Sequence, residues 1–367
     1  MQENPSALPT RTPLTTLTTL TTAARWLMAM PALLLGLGLA APAVAAEPDT
    51  IREVRRIYPS EWDVPYPAGI VYVESAAHFL LIDQPGSGQA AVPGTTLVAL
   101  TPYEDYIATV RLDLLLTDPL TIAADNHAQR LWLLDRGQGS APPRLGEMQL
   151  DGEGLPDPAT LVWHDLAALG SRPARGMAVD PTGHTLYILE EDTLEETSTL
   201  LQIRLDGTTE FESAETARID LSQLGADDLH GLAVHPASGH LFVLSRGGQV
   251  VYELSPTGRP LATYPIAHLG LVSPQGLAFA PSPDLTDAPD TIHLFVADSR
   301  LKGQDQTSLS ALPRQSGKLL CGRAPSAWQP QTATSMDRPA HTPARSLLYG
   351  EIVEIALSHP RNGSFQR

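Results

Sequence analysis

Residues 228–264 read DLHGLAVHPASGHLFVLSRGGQVVYELSPTGRPLATY. Two apolar runs, Gly231-Leu232-Ala233-Val234 and Leu241-Phe242-Val243-Leu244-Ser245, flank the turn Pro236-Ala237-Ser238-Gly239. Apolar runs of this length, joined by a turn rich in Pro, Ser and Gly, form a β-hairpin. Val250–Leu254 supplies a third strand, Pro256-Thr257-Gly258 reverses the chain, and Leu261-Ala262-Thr263-Tyr264 supplies a fourth. The stretch therefore encodes one four-stranded antiparallel sheet.

The same form recurs four more times. Gly69-Ile70-Val71 leads to Phe79-Leu80-Leu81-Ile82-Asp83, and Thr121-Ile122-Ala123 leads to Leu131-Trp132-Leu133-Leu134-Asp135. Gly176-Met177-Ala178-Val179 leads to Leu186-Tyr187-Ile188-Leu189-Glu190, and Gly276-Leu277-Ala278-Phe279 leads to Leu294-Phe295-Val296-Ala297-Asp298. Four copies hold their first and last residues fourteen positions apart, and the fifth lengthens its turn by eight. Sheets of four short strands repeated at this spacing are β-propeller blades. The fold class expected is all-β, a propeller of five blades, with six as the alternative if residues 301–346 hide another.

The two ends of the repeat region predict how the ring closes. Residues 52–59 resemble a fourth strand with no blade before it, and residues 347–356 resemble a third strand with nothing after it. Pairing them completes the fifth blade and removes two open sheet edges. Residues 301–346, rich in Pro, Ser, Gln and Thr, read as a long flexible loop inserted in that blade and carrying Cys321.

Residues 1–46 stand apart from the repeats. Arg25 precedes an uncharged run from Trp26 to Ala46, and Ala43-Val44-Ala45 has the small-x-small form cut by signal peptidase. The segment reads as a signal peptide, or as an N-terminal membrane anchor if uncleaved. Either reading puts residues 47–367, a single propeller domain, outside the cytoplasm, in the periplasm or beyond, with contact to a membrane only through residues 26–46. One cysteine in 367 residues excludes an intramolecular disulfide, so the sheet core must supply the stability. A net charge of −17 argues against nucleic acid as a partner.

The quoted stretch resembles the SdiA-regulated family of exported bacterial proteins, whose blades carry a D-L-x-G-L-A-x-x-P-x-T-G-x-L-x-V-L-S run. RGMAVDPTGHTLYILEED at 175–192 and PQGLAFAP at 274–281 resemble other blades of that family. The resemblance implies a five-bladed propeller and no settled activity; NHL-repeat and gluconolactonase-type propellers are more distantly similar. The family often places Glu before the blade glycine, where this chain has Ala68, Leu120, Arg175, His230 and Gln275.

Candidate chemistry follows from the blade pattern. The residue before the first strand and the residue ending the second lie at one face of the ring, which groups Arg175, His230 and Gln275 with Asp83, Asp135, Glu190 and Asp298. Asp63, Asp118, Asp227 and Asp228 enter from the adjoining loops. A ring of such oxygens has the chemistry of a Ca²⁺ site, and His230 among carboxylates is a candidate general base. The competing structural reading is that the repeated acids cap hairpins. Arg175, His230 and Gln275 break the repeat and are the sharper ligand-binding candidates. His78, His240 and His293 share one blade position and read as packing residues. Two functions stay open: an envelope propeller binding a small molecule or an envelope protein at the channel mouth, and a Ca²⁺-assisted hydrolase of lactonase or phosphoesterase type.

Overall fold

The computed structural model describes residues 50–83, 95–112, 116, 119–136, 143–192, 197–205, 211–226, 228–300 and 349–358. The segment 1–46, the loop 301–346, Asp118, Asp227 and Cys321 lie outside the described residues. Twenty strands form five four-stranded antiparallel sheets. β1 (Thr50–Ile57) comes first in the chain and last in the ring. Blade one holds β2 (Pro67–Val73), β3 (His78–Asp83), β4 (Thr95–Leu100) and β5 (Tyr106–Leu112). Blade two holds β6 (Pro119–Asp125), β7 (Arg130–Asp135), β8 (Arg144–Gln149) and β9 (Val162–Asp165). Blade three holds β10 (Ala174–Val179), β11 (Thr185–Asp192), β12 (Thr197–Arg204) and β13 (Thr216–Asp220). Blade four holds β14 (Leu229–Val234), β15 (Leu241–Ser245), β16 (Val250–Leu254) and β17 (Pro260–Pro265). Blade five is built from β18 (Pro274–Pro281), β19 (Ile292–Asp298), β20 (Glu351–Ser358) and β1.

The first strands pack side by side in the order β2, β6, β10, β14, β18 and back to β2, which makes the ring a closed circle of five blades. The expected closure is present two residues displaced: Thr50 pairs with Ser358 and Ile57 with Ile352. Pro59 opens a short 3₁₀ turn, Pro59–Trp62, and so ends β1 at Ile57. Among the described residues no helix is long and apolar enough to cross a membrane.

Each second strand is apolar without alternation because it is buried on both faces. In β3, Leu80 and Ile82 join the core shared with blade two, while Phe79 and Leu81 join the core shared with blade five. Five such cores fill the five seams between blades, the last gathering Ile70, Phe79 and Leu81 with Ala278, Phe295 and Ile352.

The small residue opening each first strand is explained by the crowding of the ring. A Cβ on Gly231 would stand 2.5 Å from the Gln275 carbonyl oxygen, and φ at this residue is +36°. A Cβ on Gly276 would stand 2.8 Å from the Ala68 carbonyl oxygen. Neighbouring blades therefore touch backbone to backbone here, and a side chain would wedge them apart. Just before this position every first strand carries a bulge, between Pro67 and Gly69, Pro119 and Thr121, Ala174 and Gly176, and Pro274 and Gly276. Blade four shifts the bulge by one, leaving His230 paired with Leu244 and Gly231 as the extra residue.

Charged groups fasten the closing seam. Arg55 Nε donates to the buried Glu354 Oε2 at 2.5 Å, and its other nitrogens reach Glu104 and the Pro102 carbonyl in blade one. His293 Nδ1 lies 2.6 Å from Glu354 Oε1. Burial raises the Glu354 pKa, but the bonds from His293 and Arg55 outweigh it and hold the carboxyl below its ordinary value.

Three substitutions test this packing. Gly231→Ala should lower the unfolding free energy by about 2–4 kcal/mol, combining a disfavoured φ with a backbone clash. Gly152→Ala, where a Cβ meets nothing within 4 Å, should be within about 1 kcal/mol of the parent in the same urea titration. Glu354→Ala should cost about 3 kcal/mol by stranding Arg55 and His293. Limited proteolysis should then cut at the β1 end of the chain before any other blade opens.

Candidate functional site

The residues that break the repeat are each engaged within their own blade. Arg175 Nε donates to Glu191 Oε2 at 2.6 Å, and its Nη2 bonds the same oxygen. Gln275 Nε2 donates to Ser299 Oγ at 2.8 Å, and that hydroxyl bonds the Ser273 carbonyl. His230 is 3% exposed, with Nε2 2.8 Å from Asp228 Oδ1. Arg246 grips the same carboxylate with two nitrogens, at 2.7 and 3.0 Å. The bond to His230, and after it Arg246, holds the Asp228 carboxyl well below the usual range against the effect of burial. Burial foremost, with the Arg246 and Arg175 charges, lowers the His230 pKa against the pull of Asp228. The pair is thus an ionised carboxylate and a neutral imidazole with its proton on Nε2. Nδ1, its lone pair outward from that bond, is occluded and has no hydrogen-bond partner.

The acids that end the second strands act as ties between strands. Asp298 accepts from the backbone N–H groups of Val272, Ser273 and Arg300 at 2.8, 2.6 and 3.1 Å. Glu190 accepts from the Arg172 N–H at 2.9 Å and from Arg218 Nε at 3.0 Å. Asp135 takes Arg144 Nε and Nη2 at 3.1 and 3.0 Å. Asp83 takes the Tyr66 N–H at 2.6 Å, and burial pushes its pKa up to about 7. Among the described residues no three His, Cys, Asp or Glu side chains converge as a metal site. These four acids therefore do not come together as a cation cage: Asp83, Glu190 and Asp298 tie the approach to a first strand to the end of the second, and Asp135 ties the second strand to the third. Asp63 sits in the left-handed cap of the 3₁₀ turn after β1.

The shared histidine position has a partner that was missed in the sequence. His240 Nδ1 bonds Glu253 Oε1 at 2.6 Å, His293 bonds Glu354 as above, and at the same position in blade two Arg130 bonds Glu147 at 2.9 Å. Each partner is an acid on the third strand of the same blade, and in blade four that acid, Glu253, stands alone among apolar residues, which was the available signal.

A cavity lies elsewhere, along the axis. It is lined by Ile70–Tyr72, Ile122–Ala124, Met177–Val179, Leu232–Val234 and Leu277–Phe279, one segment from each first strand, and has an empty volume of about 630 Å³ including its open mouth. It runs from just past the small-residue belt to the turns between first and second strands, where Glu74, Asn126, Asp180, Pro181 and Pro236 form the rim. Its opening is therefore at the face opposite the one that carries His230. Each first strand is the edge of its sheet, so the wall also presents main-chain N–H and C=O groups with no strand beside them. The rim is ordered by its own bonds. Asn126 accepts from the Glu74 N–H at 3.0 Å and donates to the Tyr72 carbonyl at 3.3 Å. Asp180 Oδ1 accepts from Thr182 N–H, Thr182 Oγ1 and His184 N–H at 3.0, 2.9 and 3.0 Å.

Comparison with solved structures returns propeller-type proteins of low identity. A luciferin-regenerating enzyme matches at 13% identity over 84% of this chain and 95% of its own, with a TM-score of 0.44. A calcium-binding regucalcin from Agrobacterium tumefaciens matches at 15% over 72% and 92%, with a TM-score of 0.43. The periplasmic gluconolactonase of Pseudomonas aeruginosa matches at 12% over 63% and 81%, with a TM-score of 0.37. No curated protein matches the chain. The model of the family described as SdiA-regulated matches residues 167–270, so that the stretch spanning blades three and four is similar to that family in sequence.

Proposed function

We propose that this protein is an exported ligand-binding propeller that holds a small molecule in its axial cavity, entered from the rim formed by Glu74, Asn126 and Asp180. The observation that carries the reading is the cavity itself, to which all five first strands contribute. Ligand sites are concave, mostly apolar and furnished with a few polar groups, and this one adds free main-chain edges to an apolar wall. Export is supported by the uncharged segment 26–46 behind Arg25. An envelope protein is a less apt occupant, because the concavity is narrow and set inside the ring.

A second reading, hydrolysis, has one observation in its favour: the Asp228–His230 pair with its tautomer fixed. A carboxylate that holds the proton on Nε2 leaves Nδ1 as the basic nitrogen. The proposed Ca²⁺ assistance finds no support in Asp83, Asp135, Glu190 and Asp298, each of which is bound within its blade, so this reading rests on His230 without a metal. Nδ1 is occluded, so the face would have to open for substrate.

The two readings are separable. Val179→Trp, at a half-buried lining position, should remove the thermal stabilisation conferred by a cavity ligand while costing the protein about 1–3 kcal/mol of its own stability; calorimetric titration of both proteins measures it. His230→Ala should leave cavity binding unchanged. If it instead abolishes hydrolysis of a lactone or p-nitrophenyl ester by the parent protein, the second reading is correct.

A further inference from the structure

The charge of the cavity's ligand is legible in the residues around it. The lining contains no Lys, Arg or His, and its two ionisable carboxylates, Glu74 and Asp180, both stand at the rim. Glu74 is exposed, and among the described residues it takes part in no ion pair. Asp180 spends Oδ1 on three donors within its own turn, and Oδ2 makes no hydrogen bond. Tyr72 and Phe279 are among the lining residues, and the Phe279 ring packs edge-on against Phe242 and His235 in the seam of blades four and five. The Tyr72 hydroxyl is pushed up in pKa, first by burial and then by the neighbouring charge of Glu74, so it stays a neutral donor and acceptor.

We infer that the axial cavity selects an organic cation, an apolar body bearing an ammonium group that sits at the rim between Glu74 and Asp180. The inference deepens the reading of the cavity as a ligand site and rests on it. An anion entering the mouth would meet two carboxylates and no counter-charge in the wall, inside a protein of net charge −17. Carboxylates and phosphates are thereby disfavoured, and cations are concentrated at the opening. A neutral molecule gains the apolar contacts and the main-chain hydrogen bonds but not the charge. His127, His184 and His235 lie near the same turns without lining the cavity.

A charge series on one carbon skeleton tests this at pH 8: 3-phenylpropylamine, 3-phenylpropanol and 3-phenylpropanoate, each titrated into the parent protein by calorimetry and thermal shift. The expected order is amine over alcohol over carboxylate, with about a five-fold step for each rim carboxylate at low salt, shrinking as salt is raised. Glu74→Gln and Asp180→Asn keep the shape of the rim, because Asn also supports the Asp180 turn. Each should lower amine affinity about five-fold and leave the alcohol unchanged. Carboxylate binding as tight as the amine, or an amine preference that survives both substitutions, overturns the inference while leaving the cavity a ligand site. Failure of all three probes to bind, together with no effect of Val179→Trp, overturns the cavity reading itself.

Discussion

Five strands must approach one axis closely enough for their backbones to touch, and the rest of the molecule is arranged around that constraint. Where the approach is tightest four of the strands carry glycine, Gly69, Gly176, Gly231 and Gly276, at which a Cβ would press on a neighbour, while blade two accommodates Thr121. A few residues further along, each strand has diverged enough from its neighbours for a cavity to open between them. The belt and the cavity are two ends of one geometry: strands that meet at one face of a ring must splay toward the other. The bulge just before the belt re-aims each strand into this path.

Charge is used mainly to hold the blades rather than to line the channel. The strand-ending acids bind backbone N–H groups or arginines inside their own blades, and in blades two, four and five the position opening the second strand pairs a base with an acid in the third. Asp83 departs from this economy, since it has one backbone donor and no cation, and burial raises its pKa as a result. The Asp228–His230–Arg246 group joins three side chains in blade four. It coincides with the one blade whose bulge is shifted by a residue, so the local change in backbone path and the buried imidazole belong together.

The blade count, the strand order and the closure of the ring were legible in the sequence because each depends on local patterns that repeat. Fixed spacing from the small residue to the acid sets the hairpin, and an unmatched strand at either end implies the pairing of the two. The site was legible only in part. His230 stood out by failing to repeat, and Asp228 two residues earlier was visible as its neighbour, but sequence spacing carried no sign that Arg246 would grip the same carboxylate. The cavity was missed because its walls are Ala, Val, Ile and Leu in the middle of first strands, which read as core. Only the geometry of the ring reveals that these strands have one edge unpaired. The opposite face drew attention because charged residues gather there, and the structure assigns most of them to bonds within a blade.

The sharing of blade five between the two ends of the repeat region has a kinetic consequence. Arg55 and its partner Glu354 are separated by 299 positions, so the contact that completes the ring is among the last that a growing chain can make. Strand β1 has its partner only after all the other blades have been synthesised, and until then blade five lacks its outer half. Bringing such distant segments together carries a loop-closure cost that grows slowly with length, but it delays the reward of every contact in that seam. A chain translated or translocated from its N-terminus would therefore carry an unpaired, arginine-rich strand throughout, and its polarity helps to keep that strand from pairing with other chains before β20 arrives.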